Sequence, residues 1–82
     1  LQVRGHAALL DGALVELAPG PMAVLRSLAA RPGAVVAKTD LVAGLPGGGD
    51  AHAVEMAVTR LRAALGPGVV ETVVKRGYRL AV

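Results

Sequence analysis

Residues 50–82 read DAHAVEMAVTRLRAALGPGVVETVVKRGYRLAV. The first half of this stretch has the apolar spacing of a helix. At ~100° per residue, Val54, Val58, Leu61 and Leu65 gather on one side. His52, Met56, Thr59, Arg60 and Ala63 stand opposite, and Glu55 and Arg62 share a flank. Asp50 is a good N-cap, so a helix is predicted over about 50–65. Gly66-Pro67-Gly68 ends it. Two β-prone runs follow, Val69–Val74 and Tyr78–Val82, with Lys75-Arg76-Gly77 between them. That pattern predicts a C-terminal β-hairpin with a basic tip.

The charge supports reading helix and hairpin as a pair. The chain carries a net +3. Over residues 1–50, Arg4, Arg26, Arg31 and Lys38 balance Asp11, Glu16, Asp40 and Asp50. Over 51–82, Arg60, Arg62, Lys75, Arg76 and Arg79 meet only Glu55 and Glu71. The whole excess thus lies in the last third. Such asymmetry fits a nucleic-acid binder, and it also fits a solvated surface with a few extra arginines.

Moving toward the N-terminus, Pro46-Gly47-Gly48-Gly49 is a loop, and Lys38 to Gly44 suits a short helix with Leu41 and Val42 inward. Val35-Val36 reads as a short strand or extended link. Pro32-Gly33 stops an earlier helix over roughly 20–30, whose Met22, Leu25, Leu28 and Ala29 recur at helical spacing. Pro19 and Pro21 sit where a first helical turn tolerates proline. Asp11-Gly12 separates the apolar runs 7–10 and 13–17 and signals a hairpin, with Leu1–Arg4 as a further strand. The predicted order is small sheet, three helices, hairpin: an α+β chain folding as one domain over 1–82.

With 82 residues, no Phe, no Trp and Tyr78 as the sole aromatic, the core must be built from Ala, Val, Leu and Met. Elements should pack closely, and the stability margin should be thin. The absence of Cys excludes disulfides, thiolate chemistry and Cys-type zinc sites. No window approaches the ~18 apolar residues of a membrane span. The N-terminus lacks the order of a signal peptide, and a cytoplasmic location is expected. Leu1 is not an initiator Met, so the chain is expected to be part of a longer one.

Catalysis finds little support. Ser27 is the lone serine and falls within a helix; His6 and His52 lack a nucleophile or carboxylate partner. His6 reads as a strand residue. His52 and Glu55, three apart, are too few ligands for a metal. No cofactor, metal or enzymatic activity is expected. Residues 33–39, GAVVAKT, imitate a phosphate-binding loop but lack the Gly before Lys38. Gly47–Asp50 precedes a helix and could meet an anion, but a plain connector explains it.

Two surfaces remain. The outward strip of the third helix is mild and partly small, which suits close approach to another surface, with Arg60 able to bridge two acceptors on a guanine edge. It equally suits an ordinary exposed face. The hairpin tip can reach phosphates or a minor groove, or can protect a strand edge from aggregation.

The chain resembles the winged-helix DNA-binding (effector) domain of OmpR/PhoB-type response regulators. DGALVELAPGPMAVLRSLAARPGAVVAKTDLVAGL (11–45) is similar to the family's hairpin and first two helices. AVEMAVTRLRAALG (53–66) is similar to its recognition helix, and ETVVKRGYRL (71–80), with Thr-Val and Gly-Tyr-Arg, to its wing. The resemblance implies sequence-specific binding of double-stranded DNA as the output domain of a bacterial transcriptional regulator, the third helix in the major groove and the wing at the minor groove. It implies that Arg60 and Met56 face bases and that His52 and Thr59 share their strip. It implies that Arg62, Thr72, Lys75, Arg76 and Arg79 meet phosphate or the minor groove, and that Tyr78 anchors the wing. It further implies an N-terminal regulatory domain in the same protein, in this family a receiver of two-component signalling, and RNA polymerase as a partner.

Departures from the family pattern are specific. His52 stands where Arg is common, Ala53 replaces a Thr and Ala57 a His. Thr59, Ala63 and Ala64 occupy positions that are often basic, Lys75-Arg76 replaces a Gly-containing tip, and Pro46 lies where an aromatic often meets the polymerase. Ala18 replaces the usual Thr before Pro19, removing a side-chain cap at a cost of ~1 kcal/mol. The recognition helix is poorer in charge than usual and the wing tip richer. A weaker, shape-led DNA interaction follows, or else a winged-helix interaction module that has lost DNA. Similar wings also resemble C-terminal domains fused to uroporphyrinogen-III-synthase-like domains, a second possible context.

Overall fold

The computed structural model describes residues 1–4, 7–10 and 12–81. Three antiparallel strands come first: β1 (Gln2–Arg4), β2 (Ala7–Leu10) and β3 (Ala13–Glu16), in spatial order β1-β2-β3. Leu10 pairs with Ala13 across the β2–β3 turn, where Gly12 takes φ +82°. The hairpin expected there forms; Asp11, like His6 and Val82, lies outside the described residues.

Three helices follow: α1 (Pro19–Ala29), α2 (Lys38–Ala43) and α3 (Ala51–Leu65). Ala18 precedes α1 without a side-chain cap, as its sequence requires, and two prolines occupy the first turn. α3 is capped properly: Ala53 N–H donates to Asp50 Oδ1 at 3.0 Å. Its four inward residues, Val54, Val58, Leu61 and Leu65, are all buried, and Leu25, Leu28, Met22 and Val24 of α1 oppose them in the same core. Leu25 and Leu61 are fully buried, and truncating either to Ala should cost about 2–5 kcal/mol.

The C-terminal hairpin pairs β4 (Val70–Val73) with β5 (Gly77–Leu80), Glu71 opposite Arg79 and Thr72 opposite Tyr78. Its bounds correct the sequence reading. Val74 belongs to the turn, not the strand, and Gly77 belongs to the strand, not the tip. The cause is a third segment. Val36 bridges Tyr78 through two backbone hydrogen bonds, Val36 N–H to Tyr78 O at 2.8 Å and Tyr78 N–H to Val36 O at 3.0 Å. Gly77 therefore lies against Val36, where a Cβ would run into the Val36 carbonyl, and it adopts φ +144°. Of the Val35-Val36 pair, the structure makes only this single bridging residue. Ala81 N–H donates to Val69 O at 2.8 Å, extending the pairing one step beyond the strands. Tyr78 is buried and anchors the hairpin to the core.

Candidate nucleic-acid interface

His52, Met56, Thr59, Arg60 and Ala63 are all exposed, forming one strip along α3. Among the described residues nothing covers it. Met56 is 43% exposed although apolar. Thr59 turns its hydroxyl back to donate to Glu55 O at 3.0 Å, a local bond that leaves only its oxygen lone pairs for another partner.

The strip runs between two borders. On one side Arg60 and Met56 line a groove of about 450 Å³ with Pro19, Pro21, Leu45 and Pro46, from the start of α1 and the α2–α3 loop. On the other side Arg62 holds the hairpin. Its Nε and Nη2 donate to Val70 O at 3.1 and 2.9 Å, and Nη2 also donates to Thr72 Oγ1 at 2.7 Å. Helix and wing are thus fixed to each other by a half-buried guanidinium. No described residue takes the Nη1 donors of Arg62, whose guanidinium carries five N–H groups in a planar fork.

The wing's own charges divide into paired and free. Arg79 Nη2 meets Glu71 Oε2 at 2.7 Å across the strands. Its Nε is buried without a hydrogen-bond partner among the described residues. Lys75 and Arg76 form no side-chain hydrogen bond or ion pair with any described residue, and neither does Arg60. These three are the free cations among the predicted site residues. Lys75 holds φ +63°, the one described non-glycine residue with positive φ.

Lys38 and Thr39 complete a cavity of about 300 Å³ between α2 and the wing, lined also by Thr72, Lys75, Arg76 and the backbone of Gly77. Three cationic residues and two threonines are among its lining. Lys38 Nζ lies 3.7 Å from Glu55 Oε2 and 5.9 Å from the Tyr78 ring centre. Both partners of the ion pair are about half exposed, so Lys38 is held loosely. Sequence reasoning did not place Lys38 and Thr39 in the site. The Lys-Thr pair was visible only as an imperfect phosphate loop, and its approach to the wing depends on the Val36–Tyr78 bridge.

The structure thus brings His52, Met56, Thr59 and Arg60 together on one strip, and Arg62 and Thr72 into one hydrogen-bonded pair. It places Lys75 and Arg76 on the tip and turns Arg79 toward Glu71. Among the described residues no three His, Asp or Glu side chains gather where a metal could bind, and no helix is long and apolar enough to cross a membrane.

Residues 12–80 match the family described as transcriptional regulatory protein, C terminal. Several solved structures superpose on the chain. The C-terminal DNA-binding domain of RstA from Klebsiella pneumoniae is 30% identical, with a TM-score of 0.79 over 93% of this chain and 76% of that one. The Klebsiella pneumoniae RstA DNA-binding domain in complex with the RstA box is 26% identical, TM-score 0.74, over 94% and 92%. The DNA-binding domain of E. coli CadC is 25% identical, TM-score 0.79, over 94% and 79%. No curated protein matches the chain significantly.

Proposed function

The chain belongs to the family of C-terminal domains of transcriptional regulatory proteins, with the winged-helix architecture of the OmpR/PhoB type, and on that premise we propose that it binds double-stranded DNA sequence-specifically as a regulator's output domain. α3 enters the major groove and the wing lies at the adjacent minor groove, the arrangement in which a second helix of the helix-turn-helix reads bases. The observation that carries this reading is the join between α3 and the wing. A guanidinium ties them together, while Arg60 on one and Lys75 and Arg76 on the other are unpaired among the described residues.

In this reading Arg60 donates to a guanine edge and Met56 makes apolar contact beside it, with His52 and Thr59 along the same strip. Lys75, Arg76, Lys38 and the threonine hydroxyls around their shared cavity hold backbone phosphates. Arg62 adds a phosphate contact through Nη1, and Arg79 contributes field more than contact. The family's C-terminal placement supports an N-terminal regulatory domain in the same protein. RNA polymerase is the partner proposed for the α2–α3 loop.

A second reading is favoured by the sparse charge of α3, where Arg62 is turned to the wing and leaves Arg60 alone on the strip. It makes the same face a protein-docking surface. Fluorescence anisotropy against a random-sequence duplex separates the two. DNA binding predicts affinity that falls log-linearly with salt and is lost when Lys75 and Arg76 are both replaced by Ala. No binding at low salt decides for the docking surface.

A further inference from the structure

The wing leads with an apolar residue. Val73 and Gly77 form the last pair of the hairpin, so Val74, Lys75 and Arg76 make its tip. Arg76 N–H donates to Val73 O at 2.9 Å and closes the turn. Lys75 and Arg76 are among the residues lining the cavity beside Lys38, whereas Val74 is not. Val74 is instead 77% exposed, the most exposed large hydrophobic side chain among the described residues. Turn tips normally carry Gly, Asn, Asp or Ser, which solvate well or accept positive φ. Here the tip shows water a valine, and the residue after it keeps a disfavoured left-handed backbone. Two unfavourable local choices at one exposed turn point to a use for its shape.

Resting on the DNA-binding reading above, we infer that Val74 is a minor-groove probe that selects A·T pairs beneath the wing by excluding guanine's amino group. The chemistry of the groove floor gives the reason. A·T pairs show only acceptors there, and G·C adds the guanine N2 amino donor, which protrudes into the groove. Both kinds of pair lose water from their acceptors when a valine covers them. Only guanine also presents bulk that the branched side chain must avoid, and a donor for which valine has no acceptor, leaving it unsatisfied. Lys75 and Arg76 meanwhile neutralise the flanking phosphates and hold the tip down. The selectivity is therefore steric, with the cations supplying affinity and Val74 supplying choice.

The test uses the 82-residue chain and a duplex selected by it from a random library. Replacing adenine by 2,6-diaminopurine adds the minor-groove amino group and leaves the major-groove edge unchanged. Replacing guanine by inosine removes it. At the steps under the wing, diaminopurine should weaken binding by roughly tenfold, the size of one mismatched pair, and inosine should restore a G·C-substituted site. Val74→Gly should bind adenine and diaminopurine duplexes within about twofold of each other, with the salt dependence unchanged. Equal wild-type affinity for the two duplexes overturns the inference while leaving DNA binding intact. So does discrimination that persists in Val74→Gly. Failure to bind any duplex at low salt overturns it together with the function beneath it.

Discussion

Arg62 Nη2 lies 2.7 Å from Thr72 Oγ1, and this contact, with the two bonds from Arg62 to Val70 O, decides where the wing points. Arg62→Ala removes all three bonds at once. Bonds from a charged donor contribute about 1.5–3 kcal/mol when buried, and the half-exposed setting reduces that to roughly 1 kcal/mol. Thermal unfolding should show that small loss. The larger effect should be on DNA. If Arg62 acted only on one phosphate, the salt slope would fall by about 0.9. As the wing's brace, its loss should flatten the slope further, because Lys75 and Arg76 lose their registration together. Arg62→Lys, which cannot form the fork, should behave like Arg62→Ala in this respect.

Gly77→Ala should strongly destabilise the chain. The added methyl meets the Val36 carbonyl, backbone that cannot swing aside without breaking the bridge to Tyr78, and φ +144° is one that L side chains rarely adopt. A loss of about 3 kcal/mol or more is expected against a total near 5–15 kcal/mol. Circular dichroism melting reads it directly. A Gly77→Ala chain melting within a few degrees of wild type would falsify the bridge as the wing's attachment.

Lys75→Gly should divide stability from binding. Relieving φ +63° should stabilise the fold by about 1 kcal/mol. The same change removes a free cation from the tip, so affinity should fall evenly across sequences, with the salt slope shallower by about 0.9. Urea unfolding and anisotropy on one preparation give both signs. Coupled losses of stability and binding would show that Lys75 acts through the fold.

The sequence carries much of this and omits one link. α3, its cap at Asp50 and its two faces follow from 3.6-residue spacing, and each expected core residue of that helix is buried. The wing is legible as two β-prone runs, but its bounds are not. Local propensity puts Val74 in a strand, while a tertiary bridge from Val36 shifts the strand's end and draws Gly77 into the ladder. The same bridge brings Lys38 beside the tip. Arg62 shows the other limit: spacing puts it on a flank of α3, and only the packed hairpin reveals that Val70 and Thr72 take most of its donors.

Arg60 and Lys38 should separate reading from holding. Arg60 is the cation on the α3 strip that no described residue pairs, and a bidentate contact to guanine is specific to one base position. Arg60→Ala should cost about 1–3 kcal/mol on the selected site and much less on random duplex. Lys38 sits in the cavity beneath the wing tip, loosely held by Glu55 at 3.7 Å. Lys38→Ala should change stability by less than about 1 kcal/mol, because surface pairs contribute little. It should weaken selected and random duplexes by the same factor, and the salt slope should drop by about 0.9. The decisive quantity is the ratio of selected to random affinity at one salt concentration. It should collapse in Arg60→Ala and stay constant in Lys38→Ala. A ratio that falls equally in both variants would show that the cavity and the strip bind DNA as one undivided surface.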